Sequence, residues 1–204
     1  MKRGWNKYRI HSCITTIFMG LMMADTENNT QQEIEQVTFG AGCFWCVEAI
    51  FDRLEGVVDV RAGFTGGNIE NPTYDNVCSG ETGHVEVVQV DFNPKIISFN
   101  QLLDIFWQSH DPTTLNRQGS DMGTQYRSSV FYANDKQRII AEKSMKKADG
   151  SDLYEDPIVT EIIPLGIFYL AEKYHQDYYR INPNAPYCRL VIEPKLAKLF
   201  KIFK

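Results

Sequence analysis

The sequence has few cysteines, no excess of basic residues and no long apolar run. Five cysteines among 204 residues are too few, and odd in number, for the disulfide framework of a small secreted protein. Lys plus Arg number 21 against 26 Asp plus Glu, a net charge of −5, which argues against general nucleic-acid binding. No run approaches the roughly 18 apolar residues of a membrane span. We therefore predict no nucleic-acid partner and no membrane association.

Residues 1–34 differ in composition from the rest of the chain. Basic residues between positions 2 and 9 precede a Met-rich apolar run over 14–24, and a polar stretch follows. This order is typical of a signal peptide, but the run is interrupted, and bulky Met22 precedes the only plausible cleavage point. We interpret 1–34 as a disordered leader or a misassigned start, which predicts a cytoplasmic protein. A signal peptide and export are the alternative.

Periodicity from Glu35 onward predicts a core of strand, helix, strand, strand, helix, strand. The strands fall at 37–39, 57–64, 84–92 and 127–132, and the helices at 43–54 and from Ser98 to about 110. This order predicts an α+β, ferredoxin-like split βαβ plait, a two-layer sandwich with an antiparallel or mixed sheet and long irregular loops. We expect a single catalytic domain over 35–204. A helix capped by Asn134, a strand over 158–163, a helix over 171–179 and a flexible, proline-rich tail over 182–204 complete it.

The segment Gly42-Cys43-Phe44-Trp45-Cys46 carries the most informative pattern. A strand ends, the glycines allow a turn, and Cys43 falls at a helix N-terminus, where the partial positive charge stabilises a thiolate. Cys46 lies one turn later, within reach of a disulfide. The pair is a redox pair, half of a zinc site, or two cysteines on a buried helix face. Zinc requires two further ligands, and no second such pair occurs, so we predict no metal.

The neighbouring aromatic residues Phe44 and Trp45 allow two interpretations. Large aromatic side chains beside a cysteine usually belong to the core. At a strand-to-helix turn they can instead line a pocket for a small apolar group and contact its sulfur. The residues alone slightly favour the core.

The strand over 84–92 places Glu86 on its more apolar face, together with Val88, Val90 and Phe92. A carboxyl group pointing into the core or a cleft has a raised pKa, stays protonated and can donate a proton. The alternative is a glutamate near a strand end that turns to solvent. The polar loops also hold Tyr74, Asp121 and Tyr126, each of which is weak evidence on its own.

Seven motifs in a fixed order then identify a resemblance. They are Gly42-Cys43-Phe44-Trp45, Gly63-Phe64-Thr65-Gly66-Gly67, Asn71-Pro72-Thr73-Tyr74, Cys78-Ser79-Gly80, Thr82-Gly83-His84-Val85-Glu86, His110-Asp111-Pro112-Thr113 and Asp121-Met122-Gly123-Thr124-Gln125-Tyr126-Arg127-Ser128. Over about residues 36–190 the chain resembles the peptide methionine sulfoxide reductase A family, which reduces methionine-S-sulfoxide. The resemblance implies an oxidoreductase that repairs oxidised proteins and reduces free methionine sulfoxide.

The resemblance also implies roles for the residues identified above. Cys43 resembles the nucleophile that attacks the sulfoxide sulfur, and Phe44 and Trp45 the pocket for the substrate methyl group. The family's hydrogen-bond donors to the sulfoxide oxygen match Glu86, Tyr74 and Tyr126, with Glu86 as the proton source. Asp121 matches the acidic residue that orders this site.

Regeneration of the nucleophile requires a second thiol and an external reductant. Attack on the sulfoxide leaves Cys43 as a sulfenic acid, which a second thiol converts to a disulfide. Many family members have Gly where this chain has Cys46, and many keep a resolving cysteine in a C-terminal tail, where this chain has Cys188. We expect Cys188 to resolve first, with Cys46 as the alternative or as a partner in a relay. Cys78 is interpreted as structural. The resemblance implies that thioredoxin is the reductant and that no cofactor is needed. We also predict a monomer.

Three other classes share part of the cysteine pattern. A thioredoxin-like disulfide oxidoreductase requires a βαβ unit before the cysteine pair, whereas one short strand precedes Cys43. A zinc-binding interaction module requires further ligands. A cysteine hydrolase requires a histidine base, which His84 or His175 could supply. The ordered motifs make all three much weaker than the reductase.

Overall fold

A computed structural model describes residues 33–202. The predicted leader lies outside these residues except for its last two positions, and the question of a signal peptide lies there too. No helix within 33–202 is long and apolar enough to cross a bilayer.

The described chain contains eight strands and six α-helices. The strands are β1 (Glu35–Ala41), β2 (Val57–Thr65), β3 (Val85–Phe92), β4 (Arg117–Gln118), β5 (Asp121–Met122), β6 (Ser128–Tyr132), β7 (Glu161–Pro164) and β8 (Tyr169–Leu170). The helices are α1 (Phe44–Phe51), α2 (Tyr74–Cys78), α3 (Phe99–Ser109), α4 (Asp135–Asp149), α5 (Tyr178–Ile181) and α6 (Glu193–Ile202).

The main sheet has the strand order β7-β6-β1-β3-β2-β8. Its four central strands, β6-β1-β3-β2, pair antiparallel throughout, which is the arrangement of a split βαβ plait. At one edge β7 runs parallel to β6, so the sheet is mixed. The predicted α+β, ferredoxin-like fold is confirmed. Strands β4 and β5 form a separate two-stranded hairpin in the long loop before β6.

Alternation along the strands separates two apolar clusters. Phe39 of β1 packs against Phe51 of α1 and Phe106 of α3, with ring centroids 5.1 and 4.9 Å apart. The even-numbered residues of β3 from Val88 to Phe92 belong to this same cluster on the helix side of the sheet. Val85 and Val87 instead form a small second cluster with Phe131. The face of β3 that carries Glu86 therefore points toward the helices, as its sequence pattern predicts.

Capping residues set where the longer helices begin. The Ser98 hydroxyl accepts a hydrogen bond from the amide of Gln101, whose side chain returns to Ser98, so a capping box starts α3. Asn134 caps α4 in a similar way, through the amide of Gln137. Both helix starts were predicted from the sequence and are confirmed.

The prediction of one helix over 171–179 is wrong. The strand β8 ends at Leu170, a single 3₁₀ turn spans Lys173–His175, and α5 begins only at Tyr178. Asp177 separates the two turns because its φ of 55° lies in the left-handed region, which a continuous helix cannot include.

The predicted flexible tail is also wrong. A π-helical turn over Cys188–Ile192 leads directly into α6. Cys188, Ile192, Leu196 and Leu199 are all buried in the main core, because their spacing of four and three residues places them on one helix face. Pro194 does not prevent this, since it falls in the first turn of α6, where a proline is tolerated.

Candidate active site

The turn between β1 and α1 places Cys43 at the N-terminus of α1. Gly42 has a φ of 87°, in the left-handed region that favours glycine. A side chain there would also collide with Gln118, whose Cγ lies 2.6 Å from the position of a Cβ atom. Cys43 is the N-cap residue of α1 and is only 8% exposed. The nucleophile predicted from the sequence therefore lies under the surface, at the positive end of a helix.

Glu86 faces this helix end from the neighbouring strand. Its side chain is 1% exposed, and its Oε2 accepts a hydrogen bond of 3.1 Å from the Phe44 amide. Its Oε1 is buried and has no partner among the described residues. Burial raises the pKa of Glu86 to about 8, opposed by the Phe44 amide and reinforced by the charges of Asp121 and Cys46. Glu86 is therefore a carboxylic acid near neutral pH, with one free oxygen.

The thiols of Cys43 and Cys46 are in hydrogen-bond contact. Burial raises the pKa of Cys43 well above its usual value, and its contact with Cys46 adds to this. The hydrogen bond from Cys43 lowers the pKa of Cys46 to about 7, with help from the charge of Lys195 in α6. The sequence predicted a lowered pKa for Cys43 at the helix N-terminus, but in the structure burial outweighs the positive end of α1. The two thiols therefore titrate as a coupled pair, in which Cys46 is the more acidic.

A tyrosine absent from the sequence-based site covers the two thiols. The Tyr187 hydroxyl donates a hydrogen bond of 2.8 Å to Asp121 Oδ2 and lies 3.8 Å from Cys46 Sγ. Asp121 is therefore connected to the thiol of Cys46 through Tyr187. Nothing in the sequence except the neighbouring Cys188 indicated Tyr187. The thiol of Cys188 itself is fully buried.

Two aromatic side chains from later in the chain hold Trp45 in place. Its indole stacks on Tyr178 with ring centroids 3.7 Å apart and planes 7° apart. Its N–H donates to His175 Nδ1 at 3.1 Å, which leaves the proton of a neutral His175 on Nε2. The orientation of the indole is thus fixed by His175, which the sequence offered only as a possible base, and by Tyr178, which the sequence did not indicate.

Phe44 belongs to the main core. It is buried, and its ring lies 5.8 Å from that of Phe64 in β2 and 6.2 Å from that of Tyr74. The structure therefore confirms the core interpretation of Phe44, and its role in a methyl pocket stays a prediction.

The two phenols of the predicted site lie near Glu86 and stay protonated. Burial raises the pKa values of Tyr74 and Tyr126, and the negative charge of Glu86 raises both further. Both remain hydrogen-bond donors at any physiological pH. The side chain of Tyr74 also contacts the exposed thiol of Cys78, so Cys78 lies beside the site.

The geometry weakens two of the alternatives. His84 bonds to the Gly67 amide and the Ile69 carbonyl, and His175 bonds to Trp45, so both candidate bases are engaged away from Cys43. Within residues 33–202, no group of three or more His, Cys, Asp or Glu side chains is arranged to hold a metal ion. The four cysteines in this part of the chain are free thiols.

Comparison with known proteins gives concordant results. The family described as peptide methionine sulfoxide reductase matches residues 35–204. A peptide methionine sulfoxide reductase MsrA 1 from Rhodopirellula baltica is 53% identical over 177 residues, which cover 87% of this chain and 91% of that protein.

Solved structures of a yeast protein extend the comparison. Reduced Mxr1 from Saccharomyces cerevisiae has a TM-score of 0.72 and 36% identity, with 76% of this chain and 90% of that chain covered. Mxr1 in complex with Trx2 has a TM-score of 0.51 and 26% identity, with 76% and 91% covered.

Proposed function

The chain belongs to the peptide methionine sulfoxide reductase family, and we propose that it reduces the S epimer of methionine sulfoxide, free or in oxidised proteins, with Cys43 as nucleophile. The observation that carries this proposal is the free, buried Oε1 of Glu86, a neutral acid held beside the Cys43 end of α1. A sulfoxide oxygen is a poor leaving group until it is protonated. The proposed reaction needs no metal or organic cofactor.

The first step transfers the oxygen from methionine to Cys43. The Cys46 thiolate takes the proton of Cys43 across their hydrogen bond while the Cys43 sulfur attacks the sulfoxide sulfur. Glu86 gives its proton to the sulfoxide oxygen, which stays with Cys43 as methionine leaves. The products are methionine, a Cys43 sulfenic acid, a Cys46 thiol and a Glu86 carboxylate, so atoms and charge balance.

The surrounding side chains suit this step. Tyr74 and Tyr126 are neutral donors that face Glu86 and are proposed to hold the sulfoxide oxygen. Phe44 and Trp45 supply apolar walls for the methyl group. Asp121 orients Tyr187 over the thiols, and hence orders the site without touching the substrate.

The second step closes a disulfide with loss of water, and the geometry favours Cys46 as the first resolving thiol. Cys46 is already in contact with Cys43, whereas Cys188 lies in a helical turn with its side chain in the core. This reverses the preference for Cys188 drawn from the sequence, which depended on a flexible tail. Cys188 is left as a second thiol, reached only after its turn opens.

Thioredoxin is the proposed reductant, working by thiol–disulfide exchange. The structure of Mxr1 with Trx2 supports this because that relative shares the fold and 26% of its sequence with this chain. Each cycle then consumes one dithiol and one sulfoxide and yields one methionine and one water.

The test of this function uses a racemic sulfoxide. Purified protein is incubated with excess dithiothreitol and a peptide containing both epimers of methionine sulfoxide, and methionine is quantified by chromatography. We expect conversion to stop at about half, because a protein pocket binds one epimer in the reactive geometry. Complete conversion would contradict the stereospecific proposal, and no conversion would contradict the function.

A further inference from the structure

Glu48 is a buried carboxylate that the proposed reaction does not use. It lies on α1 and is only 4% exposed. Its Oε1 accepts a hydrogen bond of 2.8 Å from the Asp177 amide, and its Oε2 one of 3.2 Å from the Tyr178 amide. One side chain therefore joins α1 to the start of α5, more than a hundred residues later in the chain.

The short helix α5 depends on this contact. It spans only Tyr178–Ile181, far below the length at which a helix is stable by itself. Its first amides require acceptors, and its N-cap residue Asp177 supplies none from its own side chain. The Asp177 carboxylate turns instead to Arg180, 3.0 Å away. Glu48 therefore takes the place of the missing cap from a neighbouring helix.

The same contact reaches the pocket through two aromatic rings. Glu48 lies three residues after Trp45, so the two side chains share one face of α1. The amide bound by Glu48 Oε2 belongs to Tyr178, whose ring stacks on the Trp45 indole at 3.7 Å. If the Tyr178 backbone moved away from α1, the indole would lose the ring that fixes its plane.

We propose that Glu48 is a positioning residue for the substrate: it holds α5 against α1 so that Tyr178 keeps Trp45 in place against the methyl group of the sulfoxide. The proposal rests on the function above, in which Trp45 is a wall of the methyl pocket.

The surroundings of Glu48 indicate that its charged form does not stabilise the fold at alkaline pH. Burial raises its pKa to about 7; the two amides lower it, and the charges of Asp177 and Asp52 raise it. Arg180 is the basic group that faces it from α5. The pKa of Glu48 in the folded protein lies above its usual value of 4.5. The contribution of this carboxyl group to the free energy of unfolding is therefore present at low pH and is lost as the pH rises through about 7. A buried carboxylate kept at such a cost fits a positioning role.

The test compares Glu48→Gln with wild type on two sulfoxides. The glutamine keeps the shape, but its NH₂ group cannot accept a hydrogen bond, so one amide of α5 loses its partner. The measured quantity is kcat/KM, with excess dithiothreitol, for a peptide sulfoxide carrying the S-methyl group and for its S-ethyl analogue. A packed pocket discriminates one methylene by roughly 10- to 200-fold. We expect Glu48→Gln to lose most of that methyl-over-ethyl ratio.

The methyl-over-ethyl ratio of kcat/KM depends on the fit of the alkyl group, because both substrates react with the same thiol and the same acid. Asp52→Asn is the matched control, since it removes a carboxylate near Glu48 that makes no bond to α5, and its ratio should equal that of wild type. Glu48→Asp, whose shorter side chain cannot span both amides, should lose the ratio as Glu48→Gln does. Melting curves and circular dichroism identify a variant that fails to fold, in which case the other carries the test.

An unchanged ratio in a folded Glu48 variant overturns the proposal. A loss of kcat/KM that is equal for both sulfoxides also overturns it, because it shows a general defect with no link to the methyl pocket. If wild type reduced neither sulfoxide, the function itself would fail, so the two failures are distinguishable.

Discussion

Glu86→Gln is expected to lower the rate of the first turnover by roughly a hundred- to ten-thousand-fold, the usual contribution of a general acid. Glutamine keeps the size of the side chain and can still accept the hydrogen bond from the Phe44 amide, but it has no acidic proton for the sulfoxide oxygen. The rate of methionine formation is measured in a single turnover, before any recycling of the thiols.

The pH profile adds a second readout for the same residue. Glu86 is protonated below its pKa of about 8, so the wild-type rate should fall as the pH rises through 8. The residual rate of Glu86→Gln should show no such fall. Glu142→Gln, which alters an exposed carboxylate on α4, is the control and should behave as wild type. A Glu86→Gln enzyme with a wild-type rate would show that the oxygen takes its proton from another group.

Cys46→Ser is expected to abolish turnover with thioredoxin while leaving turnover with dithiothreitol. The serine cannot form the disulfide that thioredoxin reduces, whereas a small dithiol can reach a sulfenic acid directly. The first-turnover rate should also fall, because serine cannot take the proton of Cys43 as the Cys46 thiolate does. Turnover is followed by methionine formation with each reductant in turn.

Cys188→Ser separates the two candidate resolving thiols. After one turnover without reductant, peptide mapping by mass spectrometry should find a Cys43–Cys46 disulfide in wild type and in Cys188→Ser. A Cys43–Cys188 disulfide that forms in Cys46→Ser at the wild-type rate would instead restore the order predicted from the sequence.

The sequence predicted those parts of the molecule that depend on local pattern. Alternation along β3 placed Glu86 on the buried face, and the side chains of Ser98 and Asn134 marked two helix starts. Gly42 before Cys43 indicated a turn into a helix. Each of these depends on residues within a few positions of one another.

The errors concern contacts between distant segments. The prolines between 183 and 194 suggested a flexible tail, but burial of Ile192 and Leu196 against the core overrides that local signal. The pKa order of Cys43 and Cys46 depends on burial and on a contact between the two thiols, which spacing alone does not show. His175, Tyr178 and Tyr187 enter the site only because the chain returns to α1 after more than a hundred residues.

The most direct test of the central claim is to trap the oxygen on Cys43. A Cys46→Ser/Cys188→Ser double variant is incubated with methionine sulfoxide and dimedone, without reductant, and the adduct is located by mass spectrometry. We predict one methionine per protein molecule and a dimedone adduct on Cys43, both absent when Cys43→Ser is added. An adduct on Cys78, or methionine formed by the Cys43→Ser variant, would contradict the account.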